Sequence, residues 1–116
     1  KPEPSPDTLI MAVLEQYEAA LEARDLAALK RVWPSLSGTQ EAAIRSDFTN
    51  SRRIAVDIVS PQITVHDTTA TVRFLRRYTF DSVEGQTYQS QSNTTMTLER
   101  HGQTWAIRQI QFAPVR

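Results

Sequence analysis

Ile10, Val13, Leu14, Tyr17 and Leu21 recur at three- and four-residue spacing, while Glu15, Glu18 and Glu22 fall outside that stripe. The pattern predicts an amphipathic helix over Leu9 to Arg24 that turns one face to a core. Its start is carried by Ser5-Pro6-Asp7: a hydroxyl cap, a proline in the first turn and an acid at the positive end of the helix dipole. Asp25 is placed to cap a second, shorter helix with Leu26, Leu29, Val32 and Trp33 as its stripe, and Pro34 ends it. Ser37 with Gln40 three residues later predicts a capping box opening a third helix through Ile44 and Phe48.

From Arg52 the period changes to two. Ile54, Val56 and Ile58 alternate with polar residues and, beyond Pro61, so do Ile63 and Val65. A turn at His66-Asp67-Thr68 leads to a long strand opened by Ala70, Val72 and Phe74 and running to about Phe80. Asp81 to Gly85 turns again, and Gln86 to Arg100 is a long polar strand. His101-Gly102 then reads as a two-residue hairpin connection into QTWAIRQIQF, glycine supplying the positive φ of a tight turn. Trp105 and Ile107 are expected to form the buried face against which the first helix packs. Ile107 to Ile110 changes parity, so burial of Trp105, Ile107 and Ile110 on one face requires a bulge near Arg108 and Gln109. The order is three helices followed by a four-stranded meander.

At 116 residues the chain is long enough for one core, and 13 basic against 13 acidic residues give a net charge of zero. Nothing recruits nucleic acid or an anionic membrane electrostatically. The absence of cysteine removes disulfides, thiolate metal sites and cysteine nucleophiles, and fits either side of a membrane equally. No apolar run approaches the ~20 residues of a membrane helix. The opening KPEPSP favours a semi-rigid extended segment, so residues 1–6 read as a linker from an upstream region and 7–116 as a single domain. The expectation is a bacterial-type domain, cytoplasmic or tethered outside the membrane through that linker.

AVLEQYEAALEARDLAALKRVWP together with the closing LERHGQTWAIRQIQF resembles the nuclear-transport-factor-two-like superfamily, also called SnoaL-like or ketosteroid-isomerase-like. The resemblance rests on an aromatic in helix one, an Ala-x-x-Asp-Leu step into helix two, and a hydrophobic-x-hydrophobic strand after a glycine turn. It implies an α+β cone, with N-terminal helices packed in the concavity of a curved, mostly antiparallel four-stranded sheet and an apolar cavity at the open end. It implies no single function, since the superfamily holds isomerases, cyclases, dehydratases, dimerising scaffolds and accessory domains. Function must be argued from the site.

Isomerase chemistry in such a cone needs a carboxylate base, a tyrosine and a protonated acid. Tyr17 matches the family tyrosine, but Met96 stands where the acid would be. PSLSGTQEAAIRSDF, after helix two, offers no acid delivered by a strand; Asp47 reads as a solvated helix end. His66 and His101 read as exposed turn residues, and two histidines without clustered acids make no metal site. There is no Gly-x-Ser-x-Gly and no phosphate loop, and no cofactor is expected. Among Arg73, Arg76 and Arg77, alternation puts Arg76 on the face of Phe74 and Tyr78. Either these arginines are solvated or salt-bridged, or a bulge re-aims the strand, or an arginine enters the cavity, where it would meet an anionic ligand.

The leading reading is a non-catalytic accessory or small-ligand-binding domain of a larger protein. Its candidate cavity residues are Tyr17, Trp33, Arg76, Tyr78, Tyr88 and Met96, and the cavity takes a small apolar or aromatic ligand, or nothing. The alternative is an isomerase- or dehydratase-like enzyme on a small apolar substrate. A homodimer through the uncovered sheet face, with Leu75, Gln89 and Gln91 at or near the interface, is the expected assembly.

Overall fold

Helix α1 (Pro6–Ala23) begins where the Ser5 side chain accepts a hydrogen bond from the Thr8 amide at 3.2 Å. The structure, a computed structural model, describes residues 5–115, so the first four residues of the expected linker lie outside the described residues. Ser5 and Pro6, the rest of that segment, belong to the helix start. Arg24, in the left-handed region at φ 54°, terminates α1. Helix α2 (Leu26–Val32) starts at Asp25, whose carboxylate accepts from the Ala28 amide at 3.1 Å, and Trp33 closes it.

Helix α3 (Gly38–Asn50) corrects one expectation. Ser37 occupies the N-cap position but makes no side-chain cap bond. Gly38 enters the helix at φ 65°, outside helical geometry, so the Ser37 hydroxyl is not aimed as a capping box requires. Gln40 is used elsewhere, donating to the Ile110 carbonyl at 3.3 Å.

Strands β1 (Ser51–His66), β2 (Thr69–Ser82), β3 (Thr87–His101) and β4 (Thr104–Pro114) form one antiparallel meander in the order β1-β2-β3-β4. The last hairpin turns one residue later than expected: His101 pairs with Thr104, and the turn is Gly102-Gln103, with Gly102 at φ 66°. Placing the glycine first in the turn lets it alone carry the positive φ.

Bulges bend the sheet while keeping its apolar side facing the helices. In β1, Val59 pairs with Leu75 and Gln62 with Arg73, so Ser60 and Pro61 oppose a single residue. That extra residue explains why Ile58 and Ile63, of opposite parity, both pack against the core. In β4, Thr97 pairs with Gln109 but Leu98 with Ile107, leaving Arg108 out of register. Trp105, Ile107 and Ile110 are accordingly all buried on one side, as their spacing required. The concavity is filled by Ile10, Val13, Leu14, Tyr17 and Leu21 of α1 in one cluster with Val56, Val72, Met96, Leu98, Trp105 and Ile107 of the sheet.

Both edge strands have backbone groups engaged by helix-side residues, which is how a sheet edge is kept from pairing with another chain. Glu22 accepts from the Val56 amide at 3.1 Å on β1. On β4, the Arg108 carbonyl accepts from Ser35 at 2.9 Å, beside the Gln40 bond to Ile110. These bonds hold the α2–α3 region over the end of the cone, where the cavity lies.

Candidate functional site

A cavity of about 150 Å³ opens between α1, the α2 terminus, α3, β2 and β4. Its apolar wall is Leu21 and Trp33 on one side and Ile44 and Phe48 of α3 on another, with Phe112 of β4 at the rim, 44% exposed. Four polar side chains enter it: Tyr17, Asp47, Arg76 and Tyr78, with Gln40 beside them.

Arg76 arrives by plain alternation. The β2–β3 register runs without a break from Thr69 to Asp81, so no bulge re-aims the strand. Phe74, Arg76 and Tyr78 therefore all face the helices, and Arg73 and Arg77 face away, exposed. The Arg76 Nη1 donates to the Tyr17 hydroxyl at 3.3 Å. Its guanidinium carbon lies 4.7 Å from the Tyr78 ring centroid and 4.3 Å from that of Phe112, both within cation–π range. Its Nε is buried and has no hydrogen-bond partner. None of the ion pairs among the described residues involves Arg76.

Tyr78 donates its hydroxyl to Asp47 Oδ2 at 3.0 Å. Asp47 is thus not the solvated helix end that the sequence suggested. It lies three residues after Ile44, on the face of α3 that turns inward, and this spacing was the signal that could have placed it. Phe112 also went unrecognised; it follows Ile110 by two residues, and alternation resumed after the bulge would have put it inside.

Tyr17, only 2% exposed, has its phenol pushed up by burial, with Arg76 partly opposing the shift. Burial pushes the Tyr78 phenol up as well, and the Asp47 carboxylate adds to it by its charge and by accepting the hydroxyl hydrogen bond. Both groups keep their protons in the native state at a pH where the unfolded chain, with phenols near 10.0, releases them. Stability is therefore undiminished below that pH and falls as pH rises above it. Urea midpoints measured from neutral pH upward should drop through this alkaline range, and the drop should be shallower in Tyr78→Phe; an equal drop in both would contradict the assignment.

Of the remaining expected cavity residues, Trp33 lines it, while Met96 and Tyr88 do not. Met96 has the right parity but lies deep in the core, fully buried. Tyr88 pairs with Phe80 on the same side of the sheet but beyond the helices; it is 55% exposed, its ring 6.1 Å from that of Phe80. The long β2–β3 hairpin outruns its cover, and parity says nothing of that. His66 and His101 are exposed. No group of three or more His, Cys, Asp or Glu side chains converges among the described residues. No described helix is long and apolar enough to cross a membrane.

Helices in the concavity of a curved antiparallel meander, with a cavity at the open end, define the cone-shaped class of α+β domains. Residues 34–115 match the family model described as the SnoaL-like domain, which is most of the chain, and the protein belongs to that family. Its fold is shared by a nuclear transport factor 2-like protein of Salmonella enterica serovar Typhimurium, at 15% identity and a TM-score of 0.79 over 97% of this chain and 95% of that one. A candidate dehydratase of the same superfamily from Streptomyces avermitilis is similar over 96% of this chain and 99% of its own, at 14% identity and TM-score 0.79. The calcium/calmodulin-dependent kinase II hub homology domain of Chlamydomonas reinhardtii matches over 97% and 100%, at 18% identity and TM-score 0.73. At such identities the likeness is one of fold. No curated protein matches the chain.

Proposed function

We propose that this domain is a non-catalytic accessory module of a larger protein that binds a small, single-ring or short-chain ligand in the cavity at the mouth of the cone. The observation that carries this reading is the cavity itself: about 150 Å³ walled by Leu21, Trp33, Ile44, Phe48 and Phe112, with a few polar side chains converging on it. An apolar volume of that size suits a benzene-sized body, and convergent polar groups supply orientation. Ala43, exposed yet on the stripe of α3 that walls the cavity, provides the test. Saturable binding of benzyl alcohol, followed by ligand-observed NMR, should be lost in Ala43→Phe, which fills the cavity while preserving the fold. Binding unaffected by Ala43→Phe would place the ligand elsewhere and sink the proposal.

The enzyme reading, an isomerase- or dehydratase-like activity, draws support from one finding: the Asp47 carboxylate reaches the cavity. Against it, Asp47 is engaged by Tyr78, the Tyr17 hydroxyl is engaged by Arg76, and the family's acid position holds the core residue Met96. No measurable isomerisation of a β,γ-unsaturated ketosteroid is expected. Turnover that disappears in Asp47→Asn would reverse this choice.

A second role as a homodimerisation module is favoured by the outer sheet face, which no described helix covers. Leu75 is half-buried there in a shallow groove with Val59, Gln62, Arg73, Asn93 and Thr95, and Gln89 and Gln91 continue the same face. The likeness in fold to a kinase hub homology domain is consistent with an assembly role. Sedimentation at tens of micromolar should show a dimer that Leu75→Lys dissociates; a single monomeric species would remove this role.

A further inference from the structure

We propose that the ligand of the cavity is a small monocarboxylate whose anionic group pairs with Arg76, an inference that rests on reading the cavity as a ligand site. A guanidinium cannot discharge itself by losing a proton, so Arg76 brings a permanent positive charge into an aromatic pocket. Among the described residues no acid forms an ion pair with it. Glu41 pairs with Lys30 and Arg45, Glu99 with Arg108, and Asp47 accepts from Tyr78 without pairing to Arg76. The cation of the cavity is left with one neutral acceptor, the Tyr17 hydroxyl.

The second observation is the buried Nε without a partner. A buried N–H left unpaired is costly, and proteins rarely tolerate one without a use for it. Contact with the Tyr78 and Phe112 rings and the bond to Tyr17 fix the plane of the guanidinium. A planar fork held in place, lacking an anion and with a donor to spare, is matched by a carboxylate, which accepts two parallel N–H bonds. Phe112 sits at the rim, near the end of β4 and half exposed, so an oxygen reaching Nε would displace this ring and leave the core alone.

Size and charge narrow the class further. About 150 Å³ takes one ring or a short chain. A second anionic group in that volume would meet the Asp47 carboxylate, which disfavours dicarboxylates and phosphates.

Benzoate and benzyl alcohol, nearly equal in shape and different in charge, are the probes. Titrated calorimetrically into the wild-type domain near pH 7, benzoate should bind at least about tenfold more tightly, the scale of one charge-assisted pair. Arg76→Gln should abolish that preference, and Arg76→Lys, which keeps the charge without the planar fork, should retain only part of it. The Lys variant decides the matter if the Gln variant fails to fold. Equal binding of the two probes to the wild-type, or a benzoate preference that survives intact in both variants, overturns the carboxylate assignment but leaves the cavity a ligand site. Binding of neither probe removes both.

Discussion

Trp105→Ala should lower the unfolding free energy by about 3–5 kcal/mol, the range for removing a large aromatic from a packed core. Trp105 is 6% exposed and shares one cluster with Val13, Leu14, Tyr17 and Leu29, so it joins the last strand to the helices lying in the concavity. Small domains have only about 5–15 kcal/mol of net stability, so the variant should approach the limit of folding at physiological temperature. A urea midpoint shifted strongly downward at unchanged slope is the expected result. A loss below about 1 kcal/mol, typical of a surface site, would mean that β4 does not anchor α1 as described.

The second large effect concerns the polar pair inside the cone, where the pattern across variants is more informative than any single value. Tyr17→Phe removes the one acceptor that Arg76 Nη1 has, and Arg76→Met leaves the buried Tyr17 hydroxyl without its donor. Each should cost about 1–3 kcal/mol, because each strands a polar group. The double variant replaces both partners by apolar groups and should be nearly as stable as the wild type. The coupling energy in the cycle, the sum of the two single losses, should then be about 2–6 kcal/mol. Additive losses would show that the 3.3 Å contact carries no energetic weight.

Much of this architecture was legible because two periods, 3.6 and 2, are written cleanly in the chain. The α1 stripe, the Asp25 cap and the parity change from Ile107 to Ile110 each had one physical solution, and the fold adopted it. Arg76 was legible only as to its face: alternation put it with Phe74 and Tyr78, while a solvated arginine, a bulge and entry into the cavity all stayed open until the unbroken β2–β3 register was seen. The misreadings came where a local rule met a non-local demand. Gln40 had the spacing of a capping partner, but the edge of β4 took its side chain, and Gly38 left the Ser37 hydroxyl misdirected. Tyr88 and Met96 have the parity of cavity residues, yet how far along the strand the helices reach put one outside their cover and the other deep within the core. Asp47 and Phe112 were missed because their places depend on how α3 crosses the end of the sheet and on a bulge two residues upstream.

Both tryptophans are buried in the core cluster, but of the two Trp33 alone lines the cavity, which offers a direct test of the ligand-binding account. In an amide and indole NMR correlation spectrum, titration with benzoate should move the Trp33 indole N–H progressively to saturation while the Trp105 indole stays in place. Shifts at Trp105 or at the outer-face glutamines with Trp33 unmoved, or no saturable shift at either indole, would contradict it.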